Sequence, residues 1–235
     1  MANQLTFDLT LPSPTYARQD FVVAAGNREA LAWIDRWPDW PAPALALSGP
    51  AGCGKTHLGR IWAARARAAI IEGRDLDGKT VADLTALADA SGTLVIERAE
   101  RAPERALFHL YNLMRERRGS LLLIAEHPPA HWRITLPDLA SRLRAAPAVA
   151  VAPPDDDLLG SIILKQLADR QLHAGPGVVH YLVSHMERSA DAARHVVAAL
   201  DRRALVESRE IDRRLAADVL AELSAAWPPA EGGKT

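Results

Sequence analysis

The chain has 235 residues, 49% of them hydrophobic, with a formal net charge of −1 and a single cysteine, Cys53. This length allows one large domain or two small ones with a real core, and the near-neutral balance argues against a strongly basic nucleic-acid surface. One cysteine forms no internal disulfide and fits a reducing cytosol, and no run of about 18 apolar residues announces a membrane span.

The first stretch, residues 1–14, has no positively charged leader region. Closed by Pro12 and Pro14, it reads as an exposed tail, although the alternation of Leu5, Phe7 and Leu9 also suits a short edge strand. A helix is predicted over 27–37 with Asn27 as N-cap. The prolines of Trp37-Pro38-Asp39-Trp40-Pro41-Ala42-Pro43 then interrupt the chain. Ala44-Leu45-Ala46-Leu47-Ser48 is a short apolar run, as expected of a buried strand.

Gly49-Pro50-Ala51-Gly52-Cys53-Gly54-Lys55-Thr56 follows at once. It is a complete Gly-x-x-x-x-Gly-Lys-Thr phosphate-binding loop between a strand and a predicted helix at 56–67. Glycines let successive N–H groups aim at phosphate oxygens, the helix N-terminus adds its dipole, Lys55 supplies a charge and Thr56 a hydroxyl for Mg²⁺. The pattern points to nucleoside di- or triphosphates.

Strands and helices then alternate: strands at 68–72, 93–97, 120–125 and 148–151, helices at 81–88 and 103–118. Alternation of this kind predicts an α/β fold with a parallel sheet covered on both faces by helices. Composition shifts at Pro153-Pro154-Asp155-Asp156-Asp157. The remainder reads as helices at 156–171, 176–186, 189–208 and 212–223. The expected organisation is a tail (1–14), an α/β nucleotide-binding domain (15–154), a small all-α lid (155–226) and a C-terminal tail (227–235).

This plan resembles the AAA+ ATPases. Gly54-Lys55-Thr56-His57-Leu58, and Asp20-Phe21-Val22-Val23 with Asn27, resemble the initiator branch typified by the replication initiator DnaA. Leu136-Pro137-Asp138-Leu139-Ala140-Ser141-Arg142-Leu143 is similar to the arginine-finger segment of the Hda family, short DnaA relatives that inactivate the initiator. Phe108-His109-Leu110-Tyr111-Asn112 and His127-Pro128-Pro129 fit the same family, and the likeness spans nearly the whole chain. The resemblance implies that Gln4, Leu5, Phe7 and Leu9 dock on the β subunit sliding clamp of DNA polymerase. An extended tail of that length reaches about 45 Å. It further implies ADP or ATP with Mg²⁺ on Gly49, Gly52, Cys53, Gly54, Lys55, Thr56 and His57, with Thr56 and Glu97 on the metal side.

In the same resemblance Arg194 is the lid's sensor, with Arg188 the weaker candidate, and Arg142 acts in trans on the nucleotide of DnaA. Arg142 also has Asp138 at i,i+4, so a structural pair is the competing reading. The sequence after the lid carries no helix-turn-helix, so base-specific DNA binding is not expected. A cytoplasmic location is implied, and self-association stays open.

Two departures bear on chemistry. After Glu97 the second acid expected in an active ATPase is replaced by Arg98, which cannot act as a base. Glu100 substitutes only if the loop bends back. The strand at 120–125 ends in Ala125 and is followed by Glu126, neither of which senses a phosphate. Weak or absent intrinsic hydrolysis is therefore expected, with ADP the resting ligand. The alternatives are a stand-alone ATPase that remodels nucleoprotein, as helicase loaders do, and a DnaA-like adaptor that does not stimulate hydrolysis. Trp33, Trp62 and Phe108 read as core residues. His127 and His131 are four apart, but Pro128 and Pro129 disfavour a metal-binding helix.

Overall fold

A computed structural model describes residues 16–226. Gln4, Leu5, Phe7 and Leu9, and the C-terminal tail, lie outside the described residues. The strands are β1 (Ala44–Ser48), β2 (Ala69–Glu72), β3 (Thr93–Glu97), β4 (Ser120–Ala125) and β5 (Ala148–Ala150). They form one parallel sheet in the order β2-β3-β4-β1-β5. The α/β domain's helices are α1 (Arg28–Arg36), α2 (Lys55–Ala66), α3 (Val81–Ser91), α4 (Glu104–Arg117) and α5 (Pro137–Ala145).

Strand residues alternate between the two faces, which explains why runs such as Leu121-Leu122-Leu123-Ile124 are apolar throughout. Leu121 and Leu123 face α3, α4 and α5, packing with Leu84, Leu110 and Met114. Leu122 and Ile124 face α1 and α2, packing with Ile34, Leu58 and Trp62. The lid contains α6 (Asp156–Asp169), α7 (Val178–His185), α8 (Ala190–Glu207) and α9 (Arg213–Ala226). It has its own core around Ile163, Leu182, Val197, Leu200 and Leu215. Asp155 and Ser189 cap α6 and α8, accepting from the N–H groups of Leu158 and Ala192 at 2.8 and 2.9 Å. No helix among the described residues is long and apolar enough to cross a membrane.

Three details differ from the sequence reading. The segment around Arg142 is a helix of its own, α5, begun by Pro137 and buried through Leu139 and Leu143. Two buried positions in so short a helix leave little periodicity to read. α3 runs on to Ser91, stopped by Gly92 in the left-handed region (φ 61°). Asn27 stands at the N-cap position of α1, but its side chain does not cap the helix. Its Oδ1 accepts from Ala24 N–H and its Nδ2 donates to the Val22 carbonyl, both at 2.9 Å, so it orders the 22–27 loop instead.

Candidate functional site

β1 lies between β4 and β5, and its C-terminal end is the point from which the chain turns into the 49–54 loop and α2. Open parallel sheets bind ligands at such a strand end. The Lys55 ammonium, 9% exposed, donates to the carbonyls of Gly49 and Pro50 at 2.6 and 2.7 Å. Gly52 has φ +71°, and a Cβ there would fall 2.2 Å from the Cβ of Ser189. The lid therefore touches the phosphate-binding loop directly, and the Ala190 N–H donates to the Gly52 carbonyl at 2.9 Å.

Thr56 and Glu97 meet across the sheet ends, with the Thr56 hydroxyl donating to Glu97 Oε2 at 3.5 Å. Burial holds the Glu97 carboxyl above the usual carboxylate range, and neighbouring Glu72 pushes the same way. The Thr56 hydrogen bond and the charges of Arg60 and Lys55 partly offset this. One hydroxyl and one carboxylate beside a phosphate loop suit Mg²⁺, which keeps several waters and takes its other oxygens from phosphate. Among the described residues no cluster of three His, Cys, Asp or Glu side chains forms a metal site on its own. His127 and His131, with ring centres 6.5 Å apart, belong to no such cluster.

Two cavities flank the loop. An open cleft of about 440 Å³ is lined by Lys55, Thr56, Arg60, Glu97, Arg98 and Ala125. A second, narrow space of about 40 Å³ is lined by Phe21, Val22, Cys53, Gly54, His57 and Arg194, with Leu158 and Ile162 of the lid. The loop residues, Glu97, His57 and Arg194 are thus brought around one locus. His57 is buried, its ring edge-on to Tyr16 and Phe21, and burial lowers its basicity. Arg188 is turned elsewhere, pairing with Asp156 at 2.7 Å on the lid surface.

Arg98, in the left-handed region at φ 48°, donates to Glu72 Oε1 at 3.1 Å. The 99–101 turn that follows brings Glu100 back to the cleft wall, with its Oε2 buried and unpartnered. Ala125 also lines the cleft, and the Glu126 carbonyl accepts from the Gly49 N–H at 3.1 Å.

Arg142 lies apart from this locus, on α5. Its guanidinium carbon sits 5.0 Å from the ring centre of Phe108 and 5.7 Å from that of Tyr111. The i,i+4 pair with Asp138 does not form, and Arg142 Nη1 is buried without a hydrogen-bond partner. The aromatic rings of α4 attract the guanidinium away from Asp138. Phe108, expected as core, packs partly buried against the core and also holds the guanidinium. Tyr16 and Arg60 went unread in the sequence, since a lone aromatic beside a proline-rich tail and one arginine in a helix carry no spacing signal. Both border the site.

No family model matches the chain. The chromosomal replication initiator protein DnaA of Cutibacterium acnes is 21% identical over 234 residues. The match covers 90% of this chain and 47% of that protein, so the chain spans about half the length of the curated relative. Domain III of the Thermotoga maritima replication initiation protein DnaA superposes with a TM-score of 0.78 at 19% identity, covering 91% of this chain and 98% of that one. The chain has the fold of DnaA domain III. AMPPCP-bound DnaA from Aquifex aeolicus gives a TM-score of 0.67 at 17% identity, covering 80% of this chain and 66% of that one. The AAA+ phosphate-loop fold expected from the sequence is the observed one.

Proposed function

We propose that this chain is a nucleotide-bound regulator of replication initiation of the Hda type. In this reading ADP or ATP, with Mg²⁺, lies on the 49–56 loop. Gly49, Gly52, Cys53 and Gly54 offer backbone, Lys55 and Arg194 offer charge, and Thr56 and Glu97 hold the metal's waters. The bound nucleotide orders the α/β domain against the lid. Gln4, Leu5, Phe7 and Leu9 dock on the sliding clamp, which raises the local concentration of the chain at replicating DNA. Arg142 then enters the nucleotide site of DnaA, where an arginine finger is worth ~10³–10⁵ in hydrolysis rate. The reaction takes place on the partner.

The observation that supports this most is the state of Arg142: a guanidinium with a buried, unpartnered N–H, held on an aromatic ledge and paired with no acid among the described residues. The test is a reconstituted reaction with clamp loaded on DNA and DnaA carrying labelled ATP. The wild-type chain speeds conversion to ADP, and Arg142→Ala removes the stimulation. Deleting residues 1–9 removes it too while ADP affinity stays unchanged. Full stimulation by Arg142→Ala sinks the reading.

A second reading, an ATPase acting on its own account, draws on Glu100, whose unpartnered oxygen borders the cleft. It requires steady-state hydrolysis by the chain alone that Glu100→Gln abolishes. A DnaA-like adaptor without stimulation is the outcome in which the wild-type chain neither speeds hydrolysis by DnaA nor hydrolyses ATP itself.

A further inference from the structure

Tyr16 is the first described residue, and two arginines from different parts of the molecule converge on its ring. The guanidinium carbon of Arg60, on α2, lies 4.4 Å from the ring centre. That of Arg194, on α8 of the lid, lies 5.7 Å from it. Arg60 lines the cleft beside Lys55 and Thr56, and Arg194 lines the cavity beside Gly54. The ring therefore touches one arginine from the wall of each cavity.

The residues after Tyr16 are fastened both to α2 and to the lid. His57 meets Tyr16 edge-on at 5.3 Å and Phe21 at 5.2 Å, and its Nε2 is 3.4 Å from the Ala17 carbonyl. Asp20 pairs with Lys165 of α6 at 3.3 Å. Residues 16–21 thus form a strap tied to the phosphate-loop helix through His57 and Arg60, and to the lid through Lys165 and Arg194.

Two guanidiniums so near a common point repel one another, and each long side chain gains rotamer freedom by turning into water. The π cloud of the Tyr16 ring attracts each guanidinium and so opposes both tendencies. Asp191 also holds Arg194, by an ion pair within α8, but it leaves Arg60 untouched. We propose that Tyr16 is a positioning residue of the nucleotide site, an aromatic latch that keeps Arg60 and Arg194 directed at a bound nucleotide and fastens the lid over it. The ring touches the arginines, and the arginines meet the phosphates. This rests on the reading of Arg194 as the lid residue that faces the nucleotide.

The test uses the full chain and fluorescent mant-ADP, with equilibrium titration and stopped-flow release. Tyr16→Phe keeps the ring and binds within about twofold of wild type. Tyr16→Leu keeps apolar cover without the π face and weakens binding roughly tenfold, mostly through faster release. Arg194→Ala weakens binding comparably, and the double variant Tyr16→Leu with Arg194→Ala loses less than the two single losses combined. The melting point of the nucleotide-free chain shows whether Tyr16→Leu is folded. Pentafluorophenylalanine at position 16 keeps the ring's shape while reversing its quadrupole, and it must weaken ADP binding as Tyr16→Leu does. Unchanged binding by both ring variants, with Arg194→Ala still weak, overturns the latch and leaves the Arg194 reading standing. Unchanged binding by Arg194→Ala overturns both.

Discussion

The N–H of Ala190 donates to the carbonyl of Gly52 at 2.9 Å, which ties the first turn of the lid helix α8 to the middle of the phosphate-binding loop. The contact is close because Gly52 has no Cβ, and Ser189 occupies the space a side chain would need. Loop and lid are therefore joined directly, with no intervening residue.

Gly52→Ala puts that contact under strain. The new Cβ would lie 2.2 Å from the Ser189 Cβ, at φ +71°. The left-handed conformation costs roughly 1–2 kcal/mol for a non-glycine residue, and losing the Ala190 hydrogen bond costs about 1 kcal/mol more. ADP affinity is expected to fall roughly 10- to 100-fold. Limited proteolysis should find the connection at 153–157, between the α/β domain and the lid, more readily cut than in wild type. Wild-type affinity with an unchanged digestion pattern would show that the lid does not close on Gly52.

Lys55 gives a cleaner test of the ligand itself. Its ammonium sits within 2.6 and 2.7 Å of two loop carbonyls, so the charge is fixed at the place where a phosphate would arrive. At ADP a hundredfold above its dissociation constant, wild type gains about 2.7 kcal/mol by mass action. For a chain of this size that is a rise in melting temperature of about 5–10 °C. Lys55→Met keeps the apolar stem but should show almost no rise. An equal rise in both proteins removes the loop from the binding site.

Arg142→Ala carries a stability cost separable from any effect on a partner. The guanidinium's contact with Phe108 and Tyr111 is worth about 0.5–2 kcal/mol. The variant should melt a few degrees lower, and Arg142→Lys should recover only part of the loss, because an ammonium lacks the flat face that stacks on a ring. Asp138→Ala should cost no more than the roughly 0.3–1 kcal/mol of an acid in the first turn of α5, since Asp138 makes no pair with Arg142 here. A large loss from Asp138→Ala would restore the i,i+4 reading.

The parts of this site that were legible in sequence are those fixed by local backbone demands. The loop glycines, Lys55 and Thr56 must be contiguous, and Glu97 must end a buried strand, so spacing alone exposes them. Ser48 opposite Ala125 and Glu72 opposite Glu97 were not legible, because strand order is set by long-range packing. Tyr16 beside Arg60 and Arg194 depends on a lid that folds back over the chain's beginning. Asp138 and Arg142 show the opposite failure: a plausible local pair lost to aromatic rings on another helix.

Glu97 sets a pH dependence whose sign follows from its surroundings. Burial, and then Glu72, raise its pKa in the folded chain above the unfolded value, against the pull of Thr56, Arg60 and Lys55. The folded state therefore binds more protons than the unfolded one between those two values. Its contribution is fully present below the ordinary carboxylate range and is lost as pH rises through the folded value. Glu97→Gln removes the titration while keeping the shape. The nucleotide-free variant should melt above wild type at neutral pH, and the difference should shrink as pH falls into the ordinary carboxylate range. The same change removes the carboxylate that would hold Mg²⁺, so the gain in ADP affinity on adding Mg²⁺ should disappear. A variant less stable than wild type at neutral pH would mean that Thr56 and the nearby cations, not burial, dominate at Glu97. A retained Mg²⁺ effect would move the metal to another oxygen of the cleft, with Glu100 the first to examine.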